Sequence, residues 1–370
     1  MSGRLDLEYA PLSFRGEAVV EFSIFLLPCF REGLAPSLAA FYEELIETTQ
    51  LADRTGWERV WVSEHHFHYY GGASPNPAMA LLALARETER IRLAAGVSLL
   101  PLHHPLRVAE EFAMLDQLSG GRLDFGVGRG YLPHEFAGFR RDPAQATARF
   151  LEAFEIVTQA WRGEPFEHHG SFYDIDRLQL PLRPMQQPPP IYMACSRTRE
   201  SFEFAGAHGL RLMSNHYPQS LRDLTERLDW YKRAYAAGGH DPAQRQGMIS
   251  LFLHIAPSEE QAIAEAMPAV QEHANLFRLL MSNDVWNRDY LGDASVFEFI
   301  APGGDVVDAF RERTAVGTAE QVCERVQRYH ELGYTEVSFI VRYGGLSHAQ
   351  CLANIEAVNR LVRPRFQSAA

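Results

Sequence analysis

The sequence has few cysteines, and their spacing builds no recognisable site. Four occur in 370 residues, far apart and without a Cys-x-x-Cys pair: Cys29, Cys195, Cys323 and Cys351. Such spacing offers neither a disulfide framework nor a cysteine-ligated metal cluster, and it is typical of proteins from reducing compartments. We therefore expect free thiols, no structural metal site and a cytoplasmic location.

The sequence also lacks long apolar runs and an excess of positive charge. No stretch is long enough to cross a bilayer, and the first 18 residues have neither the basic start nor the apolar centre of a signal peptide. The net charge is −12, whereas binding nucleic acid requires a concentrated basic surface. We expect a protein that binds neither membranes nor nucleic acid.

What the sequence does contain is a repeated alternation of short apolar runs and amphipathic helical segments. The apolar runs are bounded by glycine, proline or polar residues, which predicts strands. Eight such strands are predicted, at residues 22–27, 60–62, 91–100, 123–127, 191–195, 210–214, 248–256 and 336–341. Helical periodicity follows each of them, so we predict one α/β domain over residues 1–370, a single (β/α)8 TIM barrel with insertions. The alternative is an open doubly wound sheet, which rarely needs eight such units.

Two segments depart from this alternation. Residues 163–190 are polar and rich in proline, which is typical of a surface hairpin or excursion. Residues from about 271 to 314 lack a clean period, and we interpret them as an insertion with short helices. Insertions of this kind often act as lids over active sites.

A cluster of polar residues follows the second predicted strand. The buried-looking run of residues 60–62 is followed by Glu64, His65 and His66. The carboxyl-terminal ends of barrel strands are where this fold holds its active site. Imidazole exchanges protons near neutral pH, which suits a catalytic acid or base. A histidine that only hydrogen-bonds within a loop is the alternative.

Five motifs along the chain resemble the bacterial luciferase-like family of flavin-dependent monooxygenases. They are EHHF at 64–67, LPLHHPLR at 100–107, LDQLSGGRLDFGVGRG at 115–130, IYMACS at 191–196 and VGTAEQVCERV at 316–326. Their shared order and their placement at strand ends make the resemblance specific. The resemblance implies a TIM barrel that binds reduced FMN (FMNH2), captures O2 as a flavin C4a-peroxide and inserts one oxygen atom into a small organic substrate.

The resemblance also assigns roles around the polar cluster. His65 corresponds to the catalytic histidine of the family, and Glu64 and His66 are expected to hold its ring and the strand end. The residues that follow are candidates for the substrate pocket, with simple packing as the alternative: His68, Tyr69 and Tyr70.

Two arginines and one turn are candidates for holding the FMN phosphate. The resemblance pairs Arg129 with the phosphate and gives Arg149 a second contact, although a solvated surface arginine is an equal alternative. A turn before a predicted helix offers hydroxyl and backbone N–H groups at a positive helix end, and a plain helix cap would use the same residue types: Ser196, Arg197 and Thr198.

Two further features concern the flavin ring and metal binding. The resemblance places a non-prolyl cis peptide beneath the ring at Gly96–Val97 or one bond later, which makes Val97 a candidate cofactor residue. His103 and His104 have no acid or third histidine nearby in sequence at the spacing of a metal site, so we expect a helix-start role and no metal.

The predicted partners follow from the size of the chain and from the resemblance. The sequence shows no second nucleotide-binding domain, so we expect a separate NAD(P)H-dependent flavin reductase to supply FMNH2. In the family the helices after strands two and three form a dimer interface, and here they are rich in alanine. A homodimer is therefore expected, with a heterodimer as the alternative. Two other functions remain open: a deazaflavin (F420)-dependent oxidoreductase on the same fold, and a catalytically silent flavin-binding protein.

Overall fold

Eight parallel strands close into a ring in the computed structural model, which describes residues 20–216, 219–281 and 306–366. The described strands are β1 (Glu21–Leu26), β2 (Arg59–Val62), β3 (Arg92–Ala95), β4 (Ser98–Leu99), β5 (Leu123–Gly128), β6 (Phe166–His169), β7 (Asp174–Leu178), β8 (Ile191–Ala194), β9 (Arg211–Asn215), β10 (Gly247–Ile255), β11 (Ala315–Gly317) and β12 (Glu336–Arg342). The ring runs β1-β2-β3-β5-β8-β9-β10-β12 and returns to β1, every pair being parallel. The predicted (β/α)8 barrel is confirmed.

The strands are apolar on both faces because helices cover the outside of the ring while side chains fill the inside. Ile24 and Val60 belong to the large cluster between strands and helices. Trp61 and Tyr192 meet edge to face inside the ring, with centroids 4.8 Å apart, and Met248 belongs to the same cluster. The interior is therefore a packed core rather than a channel.

The helices begin at residues that satisfy their first N–H groups. Ser37 accepts from Ala40 N–H and Asn76 from Met79 N–H, and proline stands at the first helical position after Asn76. The described α-helices are Leu38–Arg54, Pro77–Arg86, Pro105–Ser119, Pro133–Gly138, Ala146–Arg162, Arg199–Ala207, Leu221–Ala237, Glu259–Met281, Val306–Arg313, Ala319–Leu332 and His348–Ala357.

A buried ionic network ties the strands together at their amino-terminal ends. The guanidinium of Arg59 contacts Asp124 Oδ2 at 3.0 Å and is also hydrogen-bonded to Glu336. Trp61 Nε1 donates to Glu336 Oε1 at 2.9 Å, and Arg92 pairs with Asp124. Because the charges are paired and hydrogen-bonded, burying them is tolerated. This network lies at the rim opposite the EHHF motif.

The structure does not match the predicted start of the second irregular segment, which we placed near residue 271. The helix that starts at Glu259 continues through Pro268 and Gln271 to Met281, so the boundary expected near residue 271 falls inside one helix. Residues 282–305 lie outside the described part of the chain, and the lid stays a prediction. Within 163–190, β6 and β7 form an antiparallel hairpin. None of the described helices has the length and hydropathy needed to span a membrane.

Candidate active site

A buried histidine–carboxylate pair lies just beyond the end of β2. His65 Nδ1 is 3.0 Å from Glu135 Oε1, and the same oxygen accepts the backbone N–H of His66 at 3.0 Å. Glu135 stands on the short helix Pro133–Gly138, 70 residues away in sequence. A carboxylate only accepts hydrogen bonds, so Nδ1 carries the proton and Nε2 is left for other partners.

Glu64 supports the strand end, but it does not hold His65 as we expected. Its Oε1 lies 3.0 Å from His66 Nε2 and 2.5 Å from His103 Nε2, and its Oε2 accepts Leu99 N–H at 3.1 Å. Burial favours the protonated acid, yet the hydrogen bonds from His103 and His66 lower the pKa of Glu64. Burial likewise opposes the charged form of His103, but Glu64 raises the pKa of His103 above its usual value.

The cluster of Glu64, His66 and His103 corrects our argument from the sequence, which found no acid or further histidine at metal-site spacing around His103. Glu64 and His66 approach His103 from the preceding strand end, and the three ligand atoms lie within 4.8 Å of one another. Two histidines and a carboxylate are ligands that zinc uses. However, hydrogen bonds within the cluster account for the same atoms, so we assign it a structural role. A cavity of about 290 Å³ opens beside Glu64 and His103, and its lining does not include His65.

The loop after the histidine pair folds back over His65. Tyr70 is buried with its ring centroid 5.0 Å from that of His65, while His68 stacks on Tyr69 at 4.4 Å. Burial lowers the pKa of His68 to about 4, with a further contribution from the nearby His134. Of the three pocket candidates, Tyr70 is therefore the one placed against the predicted catalytic ring.

The mouth of the barrel beside this loop is lined by small residues. A cis peptide joins Gly96 to Val97, where the resemblance placed one. A Cβ on Gly96 would come within 2.9 Å of Phe25, and one on Gly128 within 2.5 Å of Val97. Backbone thus takes the place of side chains at two neighbouring strand ends. At both positions a neighbouring side chain fills the space beside the glycine, so the glycines allow Phe25 and Val97 to pack against the backbone.

Several predicted phosphate ligands meet at the same rim. Arg129 donates to Thr147 Oγ1 at 3.0 Å and to Thr198 Oγ1 at 2.5 Å. Thr198 precedes the helix Arg199–Ala207, and Arg227 donates to the carbonyl of Ser196 at 3.1 Å. A cation, two hydroxyl groups and a helix amino terminus suit a phosphate.

The structure gives less support to the other two predicted phosphate ligands, Arg149 and Arg197. Arg149 lies over the ring of Phe172 at 4.2 Å and bonds Gln145 at 3.4 Å, one helical half-turn from Thr147. Arg197 is exposed at the head of the same turn as Thr198. Neither has a described hydrogen bond to Thr147 or Thr198, the two residues that bind Arg129, so their contact with phosphate stays a prediction.

Sequence reasoning missed the residues that are distant in sequence. Glu135 sits in a polar loop that resembles a solvated turn, and Thr147 looks like an ordinary residue of a helix start. Tyr131, whose ring meets His65 edge to face at 6.2 Å, follows the GVGRG motif directly. Its position after a strand end was the only available signal for it.

A profile of the family described as luciferase-like monooxygenase matches residues 20–336. The chain belongs to the luciferase-like monooxygenase family. The oxygenase component of flavin-dependent trigonelline monooxygenase from Acinetobacter baylyi is 31% identical over 330 residues, 88% of this chain and 90% of that protein. With its motifs placed at one rim of a TIM barrel, this family member is an enzyme of the flavin-dependent monooxygenase type.

Solved structures of other monooxygenases share the fold. The monooxygenase RslO1 from Streptomyces bottropensis aligns with a TM-score of 0.80 and 28% identity, covering 94% of this chain and 99% of its own. The oxygenating constituent of 3,6-diketocamphane monooxygenase from Pseudomonas putida, solved with FMN, aligns with a TM-score of 0.76 at 22% identity over 94% and 98% of the two chains.

A relative that is named for another cofactor is also similar in sequence. An F420-dependent hydroxymycolic acid dehydrogenase from Mycobacterium tuberculosis is 28% identical over 236 residues, 60% of this chain and 62% of that protein.

Proposed function

We propose that this enzyme is the oxygenase component of a two-component monooxygenase, which uses FMNH2 and O2 to insert one oxygen atom into a small organic substrate. One arrangement carries the proposal. His65 with Glu135 lies beside Tyr131, and two residues before Tyr131 stands Arg129 between its two threonines. The loop after β5 therefore bears both Arg129, the predicted anion-binding residue, and Tyr131, which contacts His65 at the end of β2.

The chain's residues would hold the cofactor and manage protons. Arg129, Thr147 and Thr198 would bind the phosphate, and the cis Gly96–Val97 segment would support the ring. Reduced FMN, when bound, supplies the electrons that activate O2 for transfer of one oxygen atom. His65 exchanges a proton at Nε2 while Glu135 accepts the hydrogen bond from Nδ1–H, which fixes the orientation of the ring.

The partners follow from the same proposal. Because the enzyme consumes a reduced flavin, a separate NAD(P)H-dependent flavin reductase would supply it, and the relative from Acinetobacter baylyi is itself described as an oxygenase component. A homodimer would bury the apolar side chains that two adjacent helices expose, with a heterodimer as the alternative. These side chains are Met79 (71% exposed), Met114 (45%) and Leu118 (51%). All four cysteines are free thiols, which agrees with a cytoplasmic enzyme.

A deazaflavin is the second candidate cofactor, because an F420-dependent dehydrogenase is among the similar proteins. It would serve hydride transfer on the same fold without O2. A catalytically silent flavin-binding protein is the third candidate, and it would keep the phosphate contacts of Arg129 without oxygenating anything.

The decisive experiment combines cofactor binding with labelled oxygen. Purified enzyme is titrated separately with FMN and F420, and then a substrate screen is run with FMN, NADH, an added flavin reductase and 18O2. We expect tighter binding of FMN and 18O in a product detected by mass spectrometry. His65→Ala should reduce product formation by at least about 100-fold, while His104→Ala, at a helix start, should not. Preferential binding of F420, or flavin turnover without any labelled product, would contradict the proposal.

A further inference from the structure

Three side chains that can bind a metal meet between the segment after β2 and the segment after β4. Glu64 and His66 follow β2, and His103 follows the short turn Leu100–Leu102. Glu64 Oε1 lies 3.0 Å from His66 Nε2 and 2.5 Å from His103 Nε2. Within the described part of the chain, these residues form the one group of three histidine, cysteine or acidic side chains with ligand atoms close enough to share an ion.

Two imidazoles and one carboxylate form a donor set that suits a divalent transition-metal ion such as Zn²⁺. Zinc binds nitrogen and oxygen atoms at about 2.0–2.1 Å in a tetrahedron, which sets its ligand atoms about 3.3 Å apart. The two separations at Glu64 Oε1 are somewhat shorter than this, and all three ligand atoms lie within 4.8 Å of one another. Small rotations of the three side chains would therefore arrange them around one ion. Mg²⁺ and Ca²⁺ prefer oxygen ligands and do not match this set.

Hydrogen bonds hold the cluster together in the ion-free protein, and this is its structural role. A carboxylate oxygen only accepts hydrogen bonds, so each Nε2 carries a proton in that state. Zn²⁺ binds an imidazole through an unprotonated Nε2, and a neutral ring then keeps its proton at Nδ1. Glu64 Oε2 accepts Leu99 N–H at 3.1 Å, which directs Oε1 toward both histidines. The carboxylate is thus already oriented for coordination.

The cavity beside the cluster provides an entrance for an ion and room for a further ligand. It has a volume of about 290 Å³, and its lining includes Glu64, His103, Asn76 and Ser98. The side chain of His103 is 28% exposed, whereas that of Glu64 is 1% exposed and that of His66 is 6% exposed. A zinc ion with three protein ligands keeps its fourth position for water. In this cluster the fourth position would be reached from the cavity.

We propose that Glu64, His66 and His103 bind one divalent transition-metal ion such as Zn²⁺, with water from the cavity as the fourth ligand. The ion would join the segment after β2 to the segment after β4. Glu135 accepts the N–H of His66 and contacts His65, so the ion would also stiffen the backbone that carries the predicted catalytic ring. The ion would have a role in structure, separate from the oxygen transfer of the proposed function.

Metal binding is measured on the full-length chain without a histidine tag, after treatment with EDTA and in the absence of flavin. Zn²⁺ is titrated in competition with a chromogenic chelator, and Co²⁺ replaces it for absorption spectra. We expect one Zn²⁺ per chain, which an excess of Mg²⁺ of about 100-fold does not displace, and the strong visible bands of Co²⁺ with four or five ligands. The absence of stoichiometric binding, or the weak spectrum of six-coordinate Co²⁺, would indicate a hydrogen-bonded cluster only and would overturn the proposal.

Variants test whether the ion lies at the cluster. His103→Ala removes one ligand and should weaken Zn²⁺ binding by at least about 100-fold, and Glu64→Gln, which keeps the shape of the side chain, should weaken it by at least about tenfold. His169→Ala is the matched control, because His169 lies 2.6 Å from Asp174 in an exposed pair and should not affect binding. Unchanged affinity in both cluster variants would overturn the proposal.

A measurement on the wild type keeps the test independent of how the variants fold. X-ray absorption spectroscopy of the Zn²⁺-loaded protein should show two imidazole ligands at about 2.0 Å. A shell without two imidazoles would contradict the assigned ligands. Circular dichroism shows whether each variant is folded. Because these measurements need neither flavin nor turnover, failure of the metal site and failure of the proposed function are recognised separately.

Discussion

His65 Nδ1 lies 3.0 Å from Glu135 Oε1, and this contact joins the end of β2 to the short helix that follows β5. The carboxylate is buried and also accepts the N–H of His66, so both residues are fixed by one oxygen. The orientation of the imidazole thus depends on a residue that no local motif connects to it. In the proposed function Glu135 would act on the reaction through His65, as a positioning residue.

Replacing Glu135 with glutamine should separate orientation from charge. The amide can still accept from Nδ1–H, but the hydrogen bond loses its charge assistance, so the rate should fall by about 10- to 100-fold. Glu135→Ala should cost more, because the ring then loses its partner. Steady-state rates of the wild type and both variants test this. Equal rates in the wild type and Glu135→Gln would contradict the assigned role.

Gly71 should tolerate no side chain, because its backbone is left-handed and because a Cβ would collide with the ring of His65. Its φ is +66°, and an added Cβ would lie 2.5 Å from His65 Cδ2. Gly71→Ala should therefore destabilise the fold by about 1–3 kcal/mol and displace His65. Gly239→Ala is the matched control, because Gly239 has φ +79° but nothing within 4 Å. Denaturation midpoints and rates are compared, and equal activity losses in the two variants would rule out the contact as the cause.

Arg129 should determine affinity for the FMN phosphate. Loss of its charge-assisted hydrogen bonds in Arg129→Ala should weaken FMN binding by at least about tenfold, and Arg129→Lys should recover only part of this, since lysine lacks the fork geometry. Arg107→Ala serves as control, since Arg107 is 70% exposed on a distant helix. Fluorescence titration gives the dissociation constants. Unchanged affinity of Arg129→Ala for FMN, combined with normal riboflavin binding, would place the phosphate elsewhere.

Two buried histidines should make the fold sensitive to acid. Burial lowers the pKa of His216 and of His273 to about 3, against about 6.5 in an unfolded chain. Between these values the unfolded chain binds protons that the folded chain does not, so stability falls as pH decreases. From pH 7.5 to 5 each histidine should contribute a loss of about 2 kcal/mol.

Urea denaturation at the two pH values measures this loss. His216→Gln and His273→Gln should each reduce the difference between pH 7.5 and pH 5, whereas His208→Gln, at an exposed position, should leave it unchanged. A variant of either buried histidine with the full pH dependence of the wild type would contradict the assignment.

The barrel was predictable from sequence because its signals are local. Apolar runs located the eight ring strands, each followed by helical periodicity. The boundary expected near residue 271 falls inside a helix, because that helix accommodates Pro268 and continues to Met281. The partners of His65 and Arg129 come from segments far along the chain, so folding alone brings them together. The roles of these site residues stay predictions.

The buried ion pairs of Arg59 bear on how the substrate range of such an enzyme can change. One guanidinium, buried at the rim remote from His65, links three of the ring strands through Asp124 and Glu336. The geometry of the ring is therefore anchored by groups that never meet a substrate. Loops at the carboxyl-terminal ends of the strands can therefore change in length or sequence without disturbing the Arg59 network. Such changes can alter substrate specificity while the barrel stays intact.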